Sequence, residues 1–479
     1  MVCAHEPNLD PRIRWEAEAA AARFDVTVLG FNRADGSCKA SEVRNGYKIV
    51  RLPHQEISAL YYLWRLTDII PYRPLLLLLG LAFVPLLVIA EILVRIARKV
   101  VRDISRGTIS FVSRSVILSL VLRPIRTRVG GIRGLLLTRI HFILAVLRVQ
   151  FAPAASSFWN YLREMPDKPD VVHCNDLDTL LVGVLAKRLY GCRVIFDAHE
   201  FYPRSDPTGR WIDITFFSGI ERLLIRKVDA VVTVNPPLAD AIRTAYKLKQ
   251  VHSAANAEPW AGPPVRRTIS KMDQLADGRC KFLFQGRFTP GRGIEELIQG
   301  WSGVDGERAA LFLRGPDNMW RQGAIAMAGD LGLLDRSVYF LDAVTEDELV
   351  SAATEADVGI IPYRPLIIND RLSCPNKLSQ YLHAGLMVIA NNLTYVKAVL
   401  TEADAGVFYD SAQLSTFVDA VHRILNDPEL LRRCQENALY YARERFNWQV
   451  EGEKLYALYY PPRYAGEEVS SAIAQPAIS

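Results

Sequence analysis

No two of the seven cysteines (Cys3, Cys38, Cys174, Cys192, Cys280, Cys374 and Cys434) form a CxxC pair or stand at a zinc-site spacing, and their number is odd. A disulfide framework and a structural metal are therefore not expected, and a reducing compartment is favoured. No internal repeat of solenoid length is visible, which removes repeat architectures. No signal-peptide pattern opens the chain either, since the first apolar stretch is broken by His5 and Glu6. There is little net charge, only +5 over 479 residues.

Half of the residues are hydrophobic and 23% are charged, which excludes disorder and fibre and allows a large buried core. The small net charge averages unlike parts. Residues 72–150 carry thirteen Lys/Arg and two Asp/Glu, so the rest of the chain is slightly acidic. Basic residues set among apolar ones disfavour nucleic acid and favour an anionic membrane surface. Residues 75–90 have no charge, and 75–94 contain only Glu91, long enough to span a bilayer. Strand patterns of one sheet flank this insert, so the number of crossings must be even. Arg95, Arg98, Lys99, Arg102 and Arg106 would lie on the wrong side after one crossing. The expectation is an insert over residues 60–160 that associates with the membrane without net crossing.

Around the insert the text is α/β. Residues 2–4 read as the end of a strand, 11–23 as a helix beginning at Pro11, and 26–29 as a β-branched strand. Strands at 170–173, 193–196 and 230–234 alternate with helices at 177–190, 220–228 and 236–247. Proline and glycine thicken over 259–264, a candidate hinge. A second series follows, with strands at 282–285, 310–313, 338–341, 358–361 and 387–390. Two doubly wound domains are the economical reading.

Ligands of such sheets sit off the carboxyl ends of the strands. Gly286 ends one strand, and Arg287 and Arg292 frame the turn that follows; an arginine fork suits phosphate oxygens. Pro375, Asn376, Lys377 and Leu378 open a helix whose unpaired N–H groups favour an anion, with Gln380 one turn on. In the first domain His199 follows a strand directly. Asp10 and Arg12 stand between the first strand and first helix, and His173 and Asn175 end another strand of the same sheet. These strand ends converge on one crevice.

With these motifs in order, the sequence resembles the retaining glycosyltransferases of family 4 found in bacteria. The matching text is Asp10-Pro11-Arg12-Ile13-Arg14, Asp170-Val171-Val172-His173, Asp197-Ala198-His199-Glu200, Gly286-Arg287 with Arg292-Gly293, Ala356-Asp357-Val358-Gly359-Ile360-Ile361-Pro362, Pro375-Asn376-Lys377-Leu378, Ala384-Gly385 and Phe446-Asn447-Trp448. The resemblance implies the GT-B fold. It divides the chain into an acceptor-binding domain (1–258), a nucleotide-sugar-binding domain (259–446), a helix crossing back (447–462) and a flexible tail (463–479). It implies His199, Arg287 and Arg292 as catalytic residues. Gly286, Arg287, Arg292, Pro375, Asn376, Lys377, Leu378 and Gln380 would bind the donor, and Asp10, Arg12, His173 and Asn175 the acceptor. No metal is required, because cations and helix termini take its place.

The implied reaction transfers a sugar from a nucleotide sugar, of UDP type, to a lipid-linked acceptor. The implied place is the cytoplasmic face of the inner membrane, among anionic lipids and partner enzymes of one polysaccharide or glycolipid pathway. One departure stands out. The family carries glutamates at both ends of an E-x7-E stretch, and the positions read as corresponding are Ser373 and Gln380. The second glutamate contacts ribose, so Gln380→Glu is expected to keep or improve donor affinity. The lost charge also sustains the alternative of a membrane-bound pseudoenzyme that scaffolds or regulates a partner transferase. A nucleotide-sugar epimerase of the same fold has no use for the insert.

Overall fold

The computed structural model describes residues 1–33, 35–53, 151–204, 211–266 and 270–460. The readings placed on residues 60–150 and 463–479, including the membrane insert with its arginines and the tail, lie outside the described residues.

The first helix, Pro11–Ala21, starts where its sequence says it should. Asp10 accepts the Arg12 N–H at 2.9 Å and Pro11 sits in the first turn, where a missing N–H costs nothing. Strands β1 (Thr27–Phe31), β3 (Tyr47–Leu52) and the antiparallel β2 (Ser41–Arg44) follow. The β2–β3 hairpin was not foreseen. β2 is largely solvated, with Val43 78% exposed, so it lacks the apolar alternation of a buried strand. Its one signal is Asn45-Gly46, both at positive φ, as the tightest hairpin turn demands.

Strands β4 (Val171–Asn175), β5 (Arg193–Ala198), β6 (Ala230–Thr233) and β7 (His252–Ser253) run parallel in that order. Val2 joins the two groups of strands. Its N–H donates to the His173 carbonyl (2.8 Å), its carbonyl accepts from Asn175 N–H (3.0 Å), and the neighbouring Cys3 N–H donates to Leu29 (3.0 Å). The short apolar start thus acts as a central strand between β1 and β4. The helix Phe151–Glu164 packs on this domain: Phe158 stacks on Phe31 at 4.7 Å, and the Leu162 carbonyl accepts from the Tyr190 hydroxyl at 2.9 Å.

The second domain holds β8 (Cys280–Gln285), β9 (Ala309–Arg314), β10 (Val338–Leu341), β11 (Val358–Ile361), β12 (Met387–Asn391) and β13 (Gly406–Tyr409). All pair in parallel in the order β10-β9-β8-β11-β12-β13. Because the order reverses between β8 and β11, their carboxyl ends open a crevice, the usual ligand position in such sheets. After the long helix Pro428–Glu444 the chain turns at Asn447, whose side chain caps the helix Trp448–Tyr456 by accepting Val450 N–H at 3.0 Å. That helix leaves its own domain. Trp448 packs on Trp15 (5.9 Å between rings), and the Tyr456 hydroxyl donates to the Glu16 carbonyl at 3.2 Å. The Leu458 carbonyl beyond it accepts from Arg193 Nε at 2.6 Å. Among the described residues no helix is long and apolar enough to cross a membrane.

Candidate active site between the two domains

At the crevice of the second sheet the backbone makes room for a cation. Gly286 follows β8 at φ 141°, and a Cβ there would stand 2.9 Å from the Lys377 ammonium. Gly293 is equally constrained, since a Cβ would fall 1.9 Å from the Pro362 carbonyl after β11. Lys377, from the first turn of the helix Asn376–His383, is only 8% exposed. Its ammonium donates to the Tyr363 hydroxyl at 2.5 Å and lies over the rings of Tyr363 (4.6 Å) and Phe284 (5.1 Å). The Arg292 guanidinium covers Tyr363 at 4.2 Å.

Burial and the nearby Arg292 lower the Lys377 pKa. Burial alone would raise the Tyr363 phenol, but Lys377 and Arg292 draw it below its ordinary value. Arg287 is exposed and has no hydrogen bond or ion pair among the described residues. Lys377 and Arg292 thus meet over Tyr363 with no salt bridge to a carboxylate among the described residues, an arrangement that costs free energy until an anion arrives.

The N-terminal amides of Asn376–His383 add to this. Pro375 has no N–H, and Leu378 gives its own to the Pro375 carbonyl (2.9 Å) while its side chain is in the core. The amides left for an anion are those of Asn376 and Lys377, narrower than the four-residue expectation. Gln380 is 4% exposed, and its Oε1 already accepts from Gln285 Nε2 at 3.1 Å. Seven intervening residues counted back from Gln380 end on Leu372, so the first position of the glutamate pair is Leu372 rather than Ser373.

On the first domain, His199 stands just past β5 and is 14% exposed. Its Nδ1 faces Asp10 at 3.3 Å and Asp176 at 3.5 Å, and its Nε2 faces Asp197 at 3.9 Å. Asp176 also accepts the His199 N–H at 3.0 Å. It does so from φ 60°, ψ 169°, a conformation that costs a non-glycine residue about 1–3 kcal/mol. Burial works against a charged ring, but Asp176, Asp10 and Asp197 outweigh it and carry the His199 pKa up to about 10. A histidine raised above its free value of about 6.5 adds stability that is complete below that pH and lost as pH rises through its folded pKa. NMR of the His199 ring is accordingly expected to show the imidazolium throughout about pH 6–8; a midpoint near 6.5 would refute the three-carboxylate setting.

Beneath His199 lies a closed polar network. Arg12 donates to Asp197 Oδ2 through Nη2 (2.7 Å) and Nε (3.1 Å), to the Ala254 carbonyl (2.8 Å) and to Asn256 Oδ1 (2.9 Å), and pairs with Glu16 at 2.9 Å. His173 shares a 2.8 Å hydrogen bond with the Tyr459 hydroxyl of the crossing segment and places Nε2 3.5 Å from Asp197. Burial raises the Asp197 carboxyl, but Arg12 and the two histidines hold it well below its usual range; burial and Asp197 push Glu16 well above. Glu16, His173 and Asp197 lie close enough to suggest a metal triad, yet the Arg12 guanidinium already occupies the two carboxylates.

The structure therefore separates the expected acceptor residues. Asp10 stands at His199. Arg12, His173 and Asn175 are at most 2% exposed and bind the protein itself, so they support the site from below and offer no surface to an acceptor. Sequence reading missed Tyr363, Asp176 as a partner of His199, and Glu258. Only Asp176 left a signal, an acidic residue at a strand-to-helix turn. The two halves meet where Phe201 N–H donates to Asn369 Oδ1 (2.9 Å), Asn235 Nδ2 donates to the Leu372 carbonyl (2.6 Å) and Arg14 pairs with Asp347.

The chain matches the family model described as Glycosyltransferase Family 4 over residues 124–256, and the one described as Glycosyl transferases group 1 over residues 279–427. It is 23% identical over 266 residues to the alpha-D-kanosaminyltransferase of Streptomyces kanamyceticus, covering 53% of this chain and 64% of that protein. It therefore spans just under two thirds of that relative's length. It is 28% identical over 190 residues to the D-inositol 3-phosphate glycosyltransferase of Corynebacterium glutamicum, covering 37% and 42%. Among solved structures, the sucrose-phosphate synthase of Thermosynechococcus elongatus is similar at TM-score 0.61 and 14% identity, with 98% of each chain covered. Anabaena HepE, solved in complex with UDP, is similar at TM-score 0.51 and 15% identity, covering 67% of this chain and 83% of that one. Identities this low show the fold.

Proposed function

We propose that the chain is a family 4 glycosyltransferase and that it transfers a hexosyl or N-acetylhexosaminyl group, with retention, from a UDP-sugar to a lipid-linked acceptor. The observation that carries the donor half is the pair of cations Lys377 and Arg292 at the strand-order reversal, neither in a salt bridge among the described residues, with Arg287 on the same turn. A diphosphate supplies that anion. As the bond from the anomeric carbon to the phosphate oxygen breaks, negative charge grows on the leaving diphosphate, and preset cations and amides stabilise it there. The acceptor hydroxyl attacks on the same face and gives its proton to the departing phosphate oxygen. His199, held as an imidazolium, faces the transferred sugar. UDP in the HepE structure supports the choice of nucleotide.

The acceptor half rests on composition. The basic, apolar residues 72–150 favour a peripheral or monotopic position at the cytoplasmic face of the inner membrane, among anionic lipids. There a polyprenyl diphosphate sugar is an acceptor of matching chemistry, in surface polysaccharide or glycolipid assembly alongside other membrane enzymes. The test is a panel of nucleotide sugars against lipid-linked acceptors, scored for product and for nucleotide release. Neither signal with any pair would favour the second reading, a pseudoenzyme, for which the absent glutamate at Gln380 speaks. Within the active reading, His199→Ala is expected to lower kcat by about 10–100-fold in a variant that still folds by circular dichroism, since one charged contact to the reacting group is removed; its melting temperature should fall, because three carboxylates lose their cation. Wild-type kcat in that variant would exclude His199 from the sugar.

A further inference from the structure

Glu258 lies in the segment joining the two domains and is 9% exposed. Its backbone is pinned on both sides: its N–H donates to Ser379 Oγ at 2.7 Å, and its carbonyl accepts Trp448 N–H at 3.1 Å. The side chain is thereby held against the helix Asn376–His383. Gln285 spends its side-chain amide on the Leu349 carbonyl (3.2 Å) and on Gln380 Oε1 (3.1 Å), which orients the Gln380 carboxamide. The Gln380 NH2 group is left to face the Glu258 carboxylate. Among the described residues no cation forms a salt bridge with Glu258. Glu346 and Asp347 lie nearby with Arg14, and burial above all pushes its pKa up to about 7. A carboxylate offers about four acceptor positions, and the Gln380 amide faces this one. Gln380 is three residues along the helix from Lys377, one turn on the same face. A ligand whose diphosphate lies on Lys377 therefore presents its next group to Gln380 and Glu258.

We infer that Glu258 is the specificity residue for the sugar of the nucleoside, accepting hydrogen bonds from the vicinal hydroxyls of a ribonucleotide. This rests on the nucleotide-sugar reading above. It also changes the expectation for Gln380. A carboxylate placed there alone would face Glu258, and two buried like charges cannot both ionise freely. Gln380→Glu is expected to weaken donor binding rather than keep or improve it. Moving the charge by Glu258→Gln with Gln380→Glu should restore it.

The experiment compares calorimetric affinities of UDP, ADP and GDP with those of their 2′-deoxy counterparts, with inorganic pyrophosphate as a competitor that has no ribose. Wild type should prefer the ribonucleotide by about tenfold or more, the worth of a hydrogen bond to a charged group. Glu258→Gln should collapse that ratio while leaving pyrophosphate competition unchanged. The charge-swapped double variant should recover the ratio, and its melting temperature shows whether it folds. A Glu258 that merely ties the hinge to the helix would shift ribo- and deoxyribonucleotide equally, so an unchanged ratio in Glu258→Gln overturns the inference. Wild-type protein that binds pyrophosphate and every nucleotide without preference overturns it too. Wild-type protein that binds none of them overturns the donor reading with it.

Discussion

Replacing Arg287 and Arg292 together by alanine is expected to lower kcat/KM by about 10²–10⁴-fold. Each hydrogen bond to a charged group is worth about 1.5–3 kcal/mol, and about 1.4 kcal/mol is tenfold in rate. The loss should exceed that in donor affinity, because charge on the leaving diphosphate grows along the reaction. The two arginines are not equivalent. Arg287 is free, so its removal should act on ligand alone. Arg292 sits over the Tyr363 ring, and Arg292→Lys keeps the charge but gives up the planar fork. The check is steady-state nucleotide release, with circular dichroism to confirm the fold. A double variant within about threefold of wild type would remove the diphosphate clamp, since that is less than one such bond.

The second large effect concerns Arg12. Arg12→Met is expected to destabilise the chain by about 3–5 kcal/mol, because it leaves buried carboxylates at Asp197 and Glu16 without their cation. The sign with pH follows. Carboxyls stripped of a cation in a buried place titrate above their unfolded values, so the folded variant binds more protons than the unfolded one. Its deficit against wild type should grow as pH rises and shrink toward about pH 5. Urea unfolding at several pH values reads both. A loss below about 1 kcal/mol would mean that the network contributes no more than a surface pair.

How far the sequence reached depends on which interaction decides each element. The parallel strands are apolar on both faces and were legible as runs: 338–341 and 358–361 coincide with β10 and β11. The helix read at 220–228 in fact runs Trp211–Leu224, because apolar residues on several sides blur its period. β13, only four residues long, and the largely solvated hairpin strand β2 were not seen. In the site, Gly286, Arg292 and Lys377 could be named because backbone geometry and charge mark them locally. Tyr363 and Glu258 could not. Their meaning comes from pairing, with Lys377 fourteen residues on and with Gln380 across the domain junction. Arg12 and His173 illustrate the converse. A charged residue at a strand end reads as a ligand contact, and only burial distinguishes the beam under the floor from the furniture on it.

The crossing segment also sets an order of events during synthesis. Trp15, Phe24 and His173 of the first domain find Trp448, Tyr459 and Tyr460 only at the far end of the described chain. While a ribosome is still reading the second domain, the first therefore holds an unfinished apolar face, with His173 lacking its Tyr459 partner. Domains that emerge early ordinarily fold as units. Here the first must wait, with Trp15 open to chaperones or to a second nascent chain, until residues 448–459 have cleared the exit tunnel and close over it. A stop codon shortly before Trp448 would leave the Trp15 face of the first domain open, while the second domain's sheet keeps all its strands.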